Sequence, residues 1–380
     1  MRSIRIGLSL CLALGVAALG ACAGAPSEAA APAAVAPRTV VLNEGLSAPW
    51  GLAFLPDGRM LVTERGGRLA LLPAGGRGAP LPVAGVPAVA QVGQGGLLDV
   101  AIDPDFARAP WIYLAYAEAG AGDTAGTVVI RARLDGTTLR DVAVLYRQTP
   151  KVAGPIHFGA RFAFAPDRTL FVTLGERGQG RPAQDPATSL GKVVRIGRDG
   201  SIPADNPVFA GGLPGLWSIG HRNPQGAAIR PGTGELWVTE HGPQGGDELN
   251  RVRPGANYGW PNVSYGCNYG SPVGDGCALG GGTHAPAFVE PVSVWKPVSV
   301  APSGLVFYTG DVFPQWKGDA FFGALAGTAV WRVSLSADGA ETGRERLFGA
   351  LGERVRVVVQ GPEGYLYLLT DAGRLIQVRD

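Results

Sequence analysis

Short runs of alternating apolar residues, each closed by a Pro, Asp and Gly turn and followed by a second apolar run, recur along this chain. The first copy reads Gly51-Leu52-Ala53-Phe54-Leu55-Pro56-Asp57-Gly58-Arg59-Met60-Leu61-Val62-Thr63-Glu64. Further copies begin near Val100, Phe162, Ala227, Gly304 and Val357. Alternation at period two bounded by such turns predicts hairpins. Six copies spaced by about 50 to 75 residues predict an all-β fold, a six-bladed β-propeller of four-stranded antiparallel blades with long loops. No amphipathic helix of 10–15 residues separates the runs, which argues against a parallel βαβ fold. A two-domain β-sandwich is the alternative. In a propeller, Val40-Val41-Leu42 pairs with the last blade near Leu375-Ile376-Gln377-Val378, which removes an exposed sheet edge.

The first residues follow another pattern. Arg2 and Arg5 precede an apolar stretch from Ile6 to Leu19, then Leu19-Gly20-Ala21-Cys22. This predicts a secretory signal peptide over 1–21. It resembles a bacterial lipobox, in which Cys22 is lipidated, with ordinary cleavage near Ala21 or Ala23 as the alternative. The apolar run is short for a membrane span. Residues 22–37 form an Ala/Pro tether, and the propeller domain occupies 38–380. The expected location is the periplasm, with membrane contact only through the lipid.

Composition agrees with this layout. Of 380 residues, 59 are Gly and 31 Pro, which disfavours long helices, while 46% hydrophobic content excludes a disordered chain. Removing Arg2 and Arg5 from the 33 basic residues leaves 31 against 31 acidic ones, so the mature chain is formally neutral and no basic nucleic-acid binder. Export favours a disulfide between Cys267 and Cys277, two free thiols being the alternative.

Four polar segments interrupt the strand pattern: Gln94-Gly95-Gly96, His157-Phe158-Gly159-Ala160-Arg161, Gly220-His221-Arg222-Asn223-Pro224-Gln225-Gly226 and Glu240-His241-Gly242-Pro243-Gln244-Gly245-Gly246-Asp247-Glu248. Each borders a blade start or follows a Val-Thr strand end, positions that converge on a propeller's channel mouth. His157 has the chemistry of a base, and Arg222 that of a charged fork able to stabilise an oxyanion. A turn histidine and an inter-blade ion pair are the alternatives. Gly242 to Glu248 reads either as a calcium loop of carbonyls and carboxylates or as a plain turn.

Together with Gly255-Ala256-Asn257-Tyr258-Gly259-Trp260-Pro261, these segments resemble the soluble glucose/sorbosone dehydrogenase family of quinoprotein aldose sugar dehydrogenases, from about Val40 to Val378. The resemblance implies pyrroloquinoline quinone (PQQ) and Ca²⁺ as cofactors, an aldose as substrate and an external electron acceptor. It implies His157 as the base at the sugar C1 hydroxyl and Arg222 as the group polarising the quinone oxygen. Gln94 and Asn223 match cofactor- and substrate-site contacts, and Arg354 and Arg356 the pair holding cofactor carboxylates. The carbonyls of Gly242 and Pro243 match ligands of the cofactor's calcium. Glu248 and the Tyr258 carbonyl match those of a second, structural one. Ala326 stands where family members often carry a cofactor-contacting lysine, and Ile156 precedes the base where some relatives have an acid, which implies a broad sugar site. A calcium-binding propeller that hydrolyses lactones, or one that binds without chemistry, is the alternative function.

Overall fold

The structure, a computed structural model, describes residues 37–274 and 276–380; the expected signal peptide over 1–21, Cys22 and nearly all of the expected tether lie outside the described residues. Among the described residues there are 24 strands, three short 3₁₀ turns and no α-helix. The strands form six four-stranded antiparallel sheets, the blades of the expected propeller.

The inner strands are Pro49–Phe54, Leu97–Ile102, Gly159–Phe164, Pro224–Ile229, Pro302–Phe307 and Val355–Gln360, one for each sequence repeat. Blades 1 to 5 are each continuous in sequence. Blade 6 takes its fourth strand from the other end of the chain: Arg38–Asn43 pairs with Leu375–Arg379, placing Val40 opposite Gln377 and Val41 opposite Ile376. That closure is the one the sequence predicted.

The second strands differ from simple alternation. Met60–Glu64, Leu170–Leu174, Leu236–Glu240, Ala320–Ala324 and Leu366–Thr370 are buried at every position. Each blade is covered on both faces by its neighbours, so both sets of side chains must be compatible with a core. Six apolar clusters fill the six gaps between adjacent blades. The outer strands Thr138–Arg147 and Glu341–Leu347 are largely exposed and carry charge. Charge on an edge strand discourages pairing with another chain.

Every inner strand shifts register near its start, between Pro49/Gly51, Leu97/Val100, Gly159/Phe162, Pro224/Gly226, Ser303/Leu305 and Val355/Val357. A bulge bends its strand and re-aims side chains. Six of them at one level turn the residues just before each inner strand toward a common mouth. Below this level Arg161 ties the ring together. Its guanidinium donates to the carbonyls of Gln225 (2.8 Å), Trp50 (3.2 Å) and Arg356 (3.0 Å) and to the Asp99 carboxylate (3.1 Å), and it lies 3.9 Å from the Trp50 ring. One buried cation thus joins five blades.

Candidate active site

The mouth is built by two sets of loops: those preceding the inner strands and those following the second strands. In blade 3 they cross. His157, with φ +59°, precedes the inner strand, and Glu176 follows the second strand. The His157 carbonyl accepts the Arg177 N–H (3.2 Å), and a Cβ on Gly175 would collide with that carbonyl, so the close crossing requires glycine there. The His157 Nδ1–H donates to Glu176 Oε1, and Glu176 Oε2 accepts the Gly180 N–H at 2.5 Å. His157 is 6% exposed, and its Nε2 has no hydrogen-bond partner among the described residues. This arrangement fixes a tautomer with a free lone pair on Nε2. Burial and the charges of Arg222 and Arg177 pull the His157 pKa below its ordinary value, against the opposing pull of Glu176. Despite its burial, the Glu176 carboxyl is held below the usual range by its bond to His157.

Gln94 and Asn223 brace the same loop. Gln94 Oε1 accepts the His157 N–H (2.9 Å), and Asn223 Oδ1 accepts the Gly159 N–H (3.3 Å). Arg222 lies across the mouth in blade 4. Its guanidinium donates to the carbonyls of Gly242 (2.7 Å) and His241 (3.2 Å) and to the Tyr269 hydroxyl (3.1 Å), and it lies 5.1 Å from the Trp260 ring. Arg222 Nε and Asn223 Nδ2 are buried without a protein partner. His241 donates from Nε2 to the Pro302 carbonyl (2.9 Å); burial and the charge of Arg222 push it down to about 3, so it is neutral at ordinary pH.

Arg354 and Arg356 project together, as their spacing requires, but they share Asp371. Arg354 Nε lies 2.8 Å from Asp371 Oδ2, and Arg356 contacts both oxygens at 3.1 Å. Arg356 also donates to Gln225 (2.9 Å), and Arg354 to the Leu325 carbonyl (3.2 Å), directly beside exposed Ala326. A guanidinium therefore stands next to Ala326.

The Gly242–Glu248 segment is a tight turn first. Asp247 accepts hydrogen bonds from Gly242 N–H (2.9 Å), Ser299 Oγ–H (2.7 Å), Val300 N–H (2.7 Å) and Ala301 N–H (2.8 Å), so its carboxylate is occupied by the protein. Glu248 is buried near Glu240, and both accept from Asn250 Nδ2, at 2.9 and 3.0 Å. Burial and the Glu240 charge push the Glu248 carboxyl well up. Glu240, Glu248 and Tyr258 line a cavity of about 10 Å³, room for one water or ion. Among the described residues the Tyr258 carbonyl accepts no hydrogen bond, and no cluster of three His, Cys, Asp or Glu side chains is arranged around a metal. Cys267 and Cys277 form the expected disulfide, which closes the loop carrying Tyr269.

The chain matches the glucose / sorbosone dehydrogenase family profile over residues 46–377. It is 44% identical over 356 residues to the aldose sugar dehydrogenase YliI of Escherichia coli K12, covering 90% of this chain and 94% of that protein. The chain belongs to the glucose/sorbosone dehydrogenase family. Among solved structures, the apo-form of the soluble aldose sugar dehydrogenase of E. coli superposes with a TM-score of 0.84 at 43% identity, covering 90% of this chain and 99% of that one. The PQQ-bound aldose sugar dehydrogenase of Streptomyces coelicolor superposes at 0.74 with 29% identity, covering 90% and 98%. The family suggested by the polar segments is thus the family of the whole propeller.

Sequence reading missed Glu176 and Asp371 as site residues and quoted Glu240 only as part of a polar segment, with no role. A signal existed. An acid follows the second-strand threonine directly in Thr63-Glu64, Thr239-Glu240 and Thr370-Asp371, and at a distance of three in Thr173-Leu174-Gly175-Glu176.

Proposed function

We propose that this protein is a PQQ- and calcium-dependent dehydrogenase that oxidises the C1 hydroxyl of aldoses to lactones. The observation carrying this reading is the His157 imidazole, held by Glu176 through Nδ1 with Nε2 free, and lying where the Arg222 charge acts on it. The names of the E. coli and S. coelicolor relatives support it.

The residues fit a planar, acidic cofactor. Arg222 Nε and Asn223 Nδ2 are buried donors without partners, Trp260 and Tyr269 offer ring faces beside Arg222, and Arg354 and Arg356 add positive charge. They also fit calcium. The successive carbonyls of His241 and Gly242 already converge on a cation, the Arg222 guanidinium. Gly242 and Pro243 would hold the cofactor's ion. Glu248 and the Tyr258 carbonyl would hold a structural one beside Glu240, where an ion offsets the repulsion between two buried carboxylates.

PQQ, when bound, supplies the two-electron acceptor for the C1 hydride and passes the electrons to an external acceptor. The protein's part is acid–base and electrostatic. His157 Nε2 takes the proton of the C1 hydroxyl as the C–H bond breaks, and Glu176 stabilises the imidazolium that results. Arg222 places fixed positive charge where negative charge develops. Arg354, beside Ala326, supplies charge in place of the lysine. The leader pattern supports export to the periplasm with a tether through Cys22.

Adding PQQ and Ca²⁺ to purified apo-protein should produce dye-linked oxidation across an aldose panel. Silence toward every aldose, or lactone hydrolysis without PQQ, would overturn the proposal.

A further inference from the structure

Beside the His157–Glu176 pair lies a charge that the reaction as described does not use. Arg177 is 0% exposed and has φ +60°, a backbone conformation unfavourable for a residue with a side chain. Its guanidinium donates to two backbone carbonyls, Ala125 (3.2 Å) and Gly154, and stacks 3.5 Å from the Phe158 ring. Its Nε has no partner. Its own N–H holds the His157 carbonyl. A guanidinium buried on neutral acceptors costs stability relative to an apolar residue of similar size. Its contacts therefore do not explain the charge, but its surroundings do: Gly154 and Phe158 bracket His157 on both sides in sequence.

We propose that Arg177 is the positioning residue of the His157 base, locking the loop that presents the imidazole and opposing the imidazole's protonation. The inference rests on the reading of His157 as the base. The groups facing His157 are Glu176 and Arg177 from the loop after blade 3's second strand, Arg222 from the segment before blade 4's inner strand, and His241 from the end of blade 4's second strand. Glu176 orients the ring but, acting alone, would favour the imidazolium, which is no base. The cations Arg177 and Arg222 supply the opposing charge, and both act to lower the His157 pKa. Burial draws the Arg177 guanidinium down to about 10, so it remains charged throughout the neutral range.

The test uses Arg177→Met, which removes charge and anchor, and Arg177→Lys, which keeps the charge. The chain has only 4 His, so each imidazole can be followed by NMR titration of the apo-protein, assigned with His157→Ala. In Arg177→Met the His157 midpoint should rise by about one pH unit, and the acid limb of kcat/KM in the reconstituted enzyme should rise with it. In Arg177→Lys the midpoint should stay near that of the parent protein while kcat falls. If Arg177→Met does not fold, Arg177→Gln takes its place. An unmoved midpoint in the charge-removing variant overturns the proposal, as does a moved midpoint with an unmoved acid limb. Full turnover in His157→Ala would instead remove the underlying reading of the base, a separate failure visible in a separate protein.

Discussion

Two histidine–glutamate pairs sit in neighbouring blades, each with the same 19-residue separation: His157 with Glu176 and His221 with Glu240. In both, Nδ1 meets a buried carboxylate. The second ring nitrogen separates them. His221 Nε2 is hydrogen-bonded to Ser218 Oγ (2.8 Å), and its ring is 0% exposed and stacked on Tyr258 with centroids 4.6 Å apart. His157 Nε2 has no protein partner and lies at the mouth. The same residue pair thus builds a structural tie in blade 4 and leaves a free ring nitrogen in blade 3, where we propose the base. The partners of the second nitrogen, not the pair itself, assign the role.

Breaking the blade 4 pair should have the largest effect on stability. Glu240 also accepts the Arg222 N–H (2.9 Å) and Asn250 Nδ2 (3.0 Å), so Glu240→Ala strands several buried donors. It should cost about 3–5 kcal/mol in denaturant unfolding. Glu176→Gln in blade 3 sharpens the contrast, since it keeps an acceptor for His157 while removing the charge that stabilises the imidazolium. Turnover should fall about 10- to 100-fold while the unfolding midpoint moves much less. An equal loss of stability in both variants would erase the distinction.

The pH profile is a gentler probe. Only neutral His157 accepts a proton, so activity is lost as pH falls through its pKa. Because that pKa is drawn below the ordinary histidine value, the acid limb of kcat/KM should lie below about 6.5. A limb above that value would mean that Glu176 outweighs burial and the two arginines. The smallest effect belongs to Tyr269, 71% exposed, whose hydroxyl meets Arg222. Tyr269→Phe removes one hydrogen bond, about 1 kcal/mol, and should change turnover less than about tenfold.

The blades and their closure were legible in the sequence because turns and apolar runs are local signals. The propeller follows from copies such as Gly51–Glu64, and closure from two apolar runs at the chain ends. His157 and Arg222 were legible because polar chemistry stood out at blade starts. Glu176 and Asp371 were not. Their roles depend on which loop crosses which, and Asp371 meets Arg356 only through the register of blade 6. Arg161 was quoted as part of a motif, yet its function as a tie among five blades depends on ring closure. Asp247 lies in the segment that the sequence left open between a calcium loop and a plain turn, and its carboxylate is the acceptor for the turn around it.

The central claim is that the free nitrogen makes His157 the base and the occupied one makes His221 structural. It is tested most directly by reconstituting His157→Ala and His221→Ala with PQQ and Ca²⁺ and recording turnover per folded molecule alongside the unfolding midpoint. The expected result is turnover reduced at least about 100-fold with a near-parental midpoint in His157→Ala, and a lowered midpoint with most turnover retained in His221→Ala. Retained turnover in the first, or the reverse pattern across the two, would contradict the account.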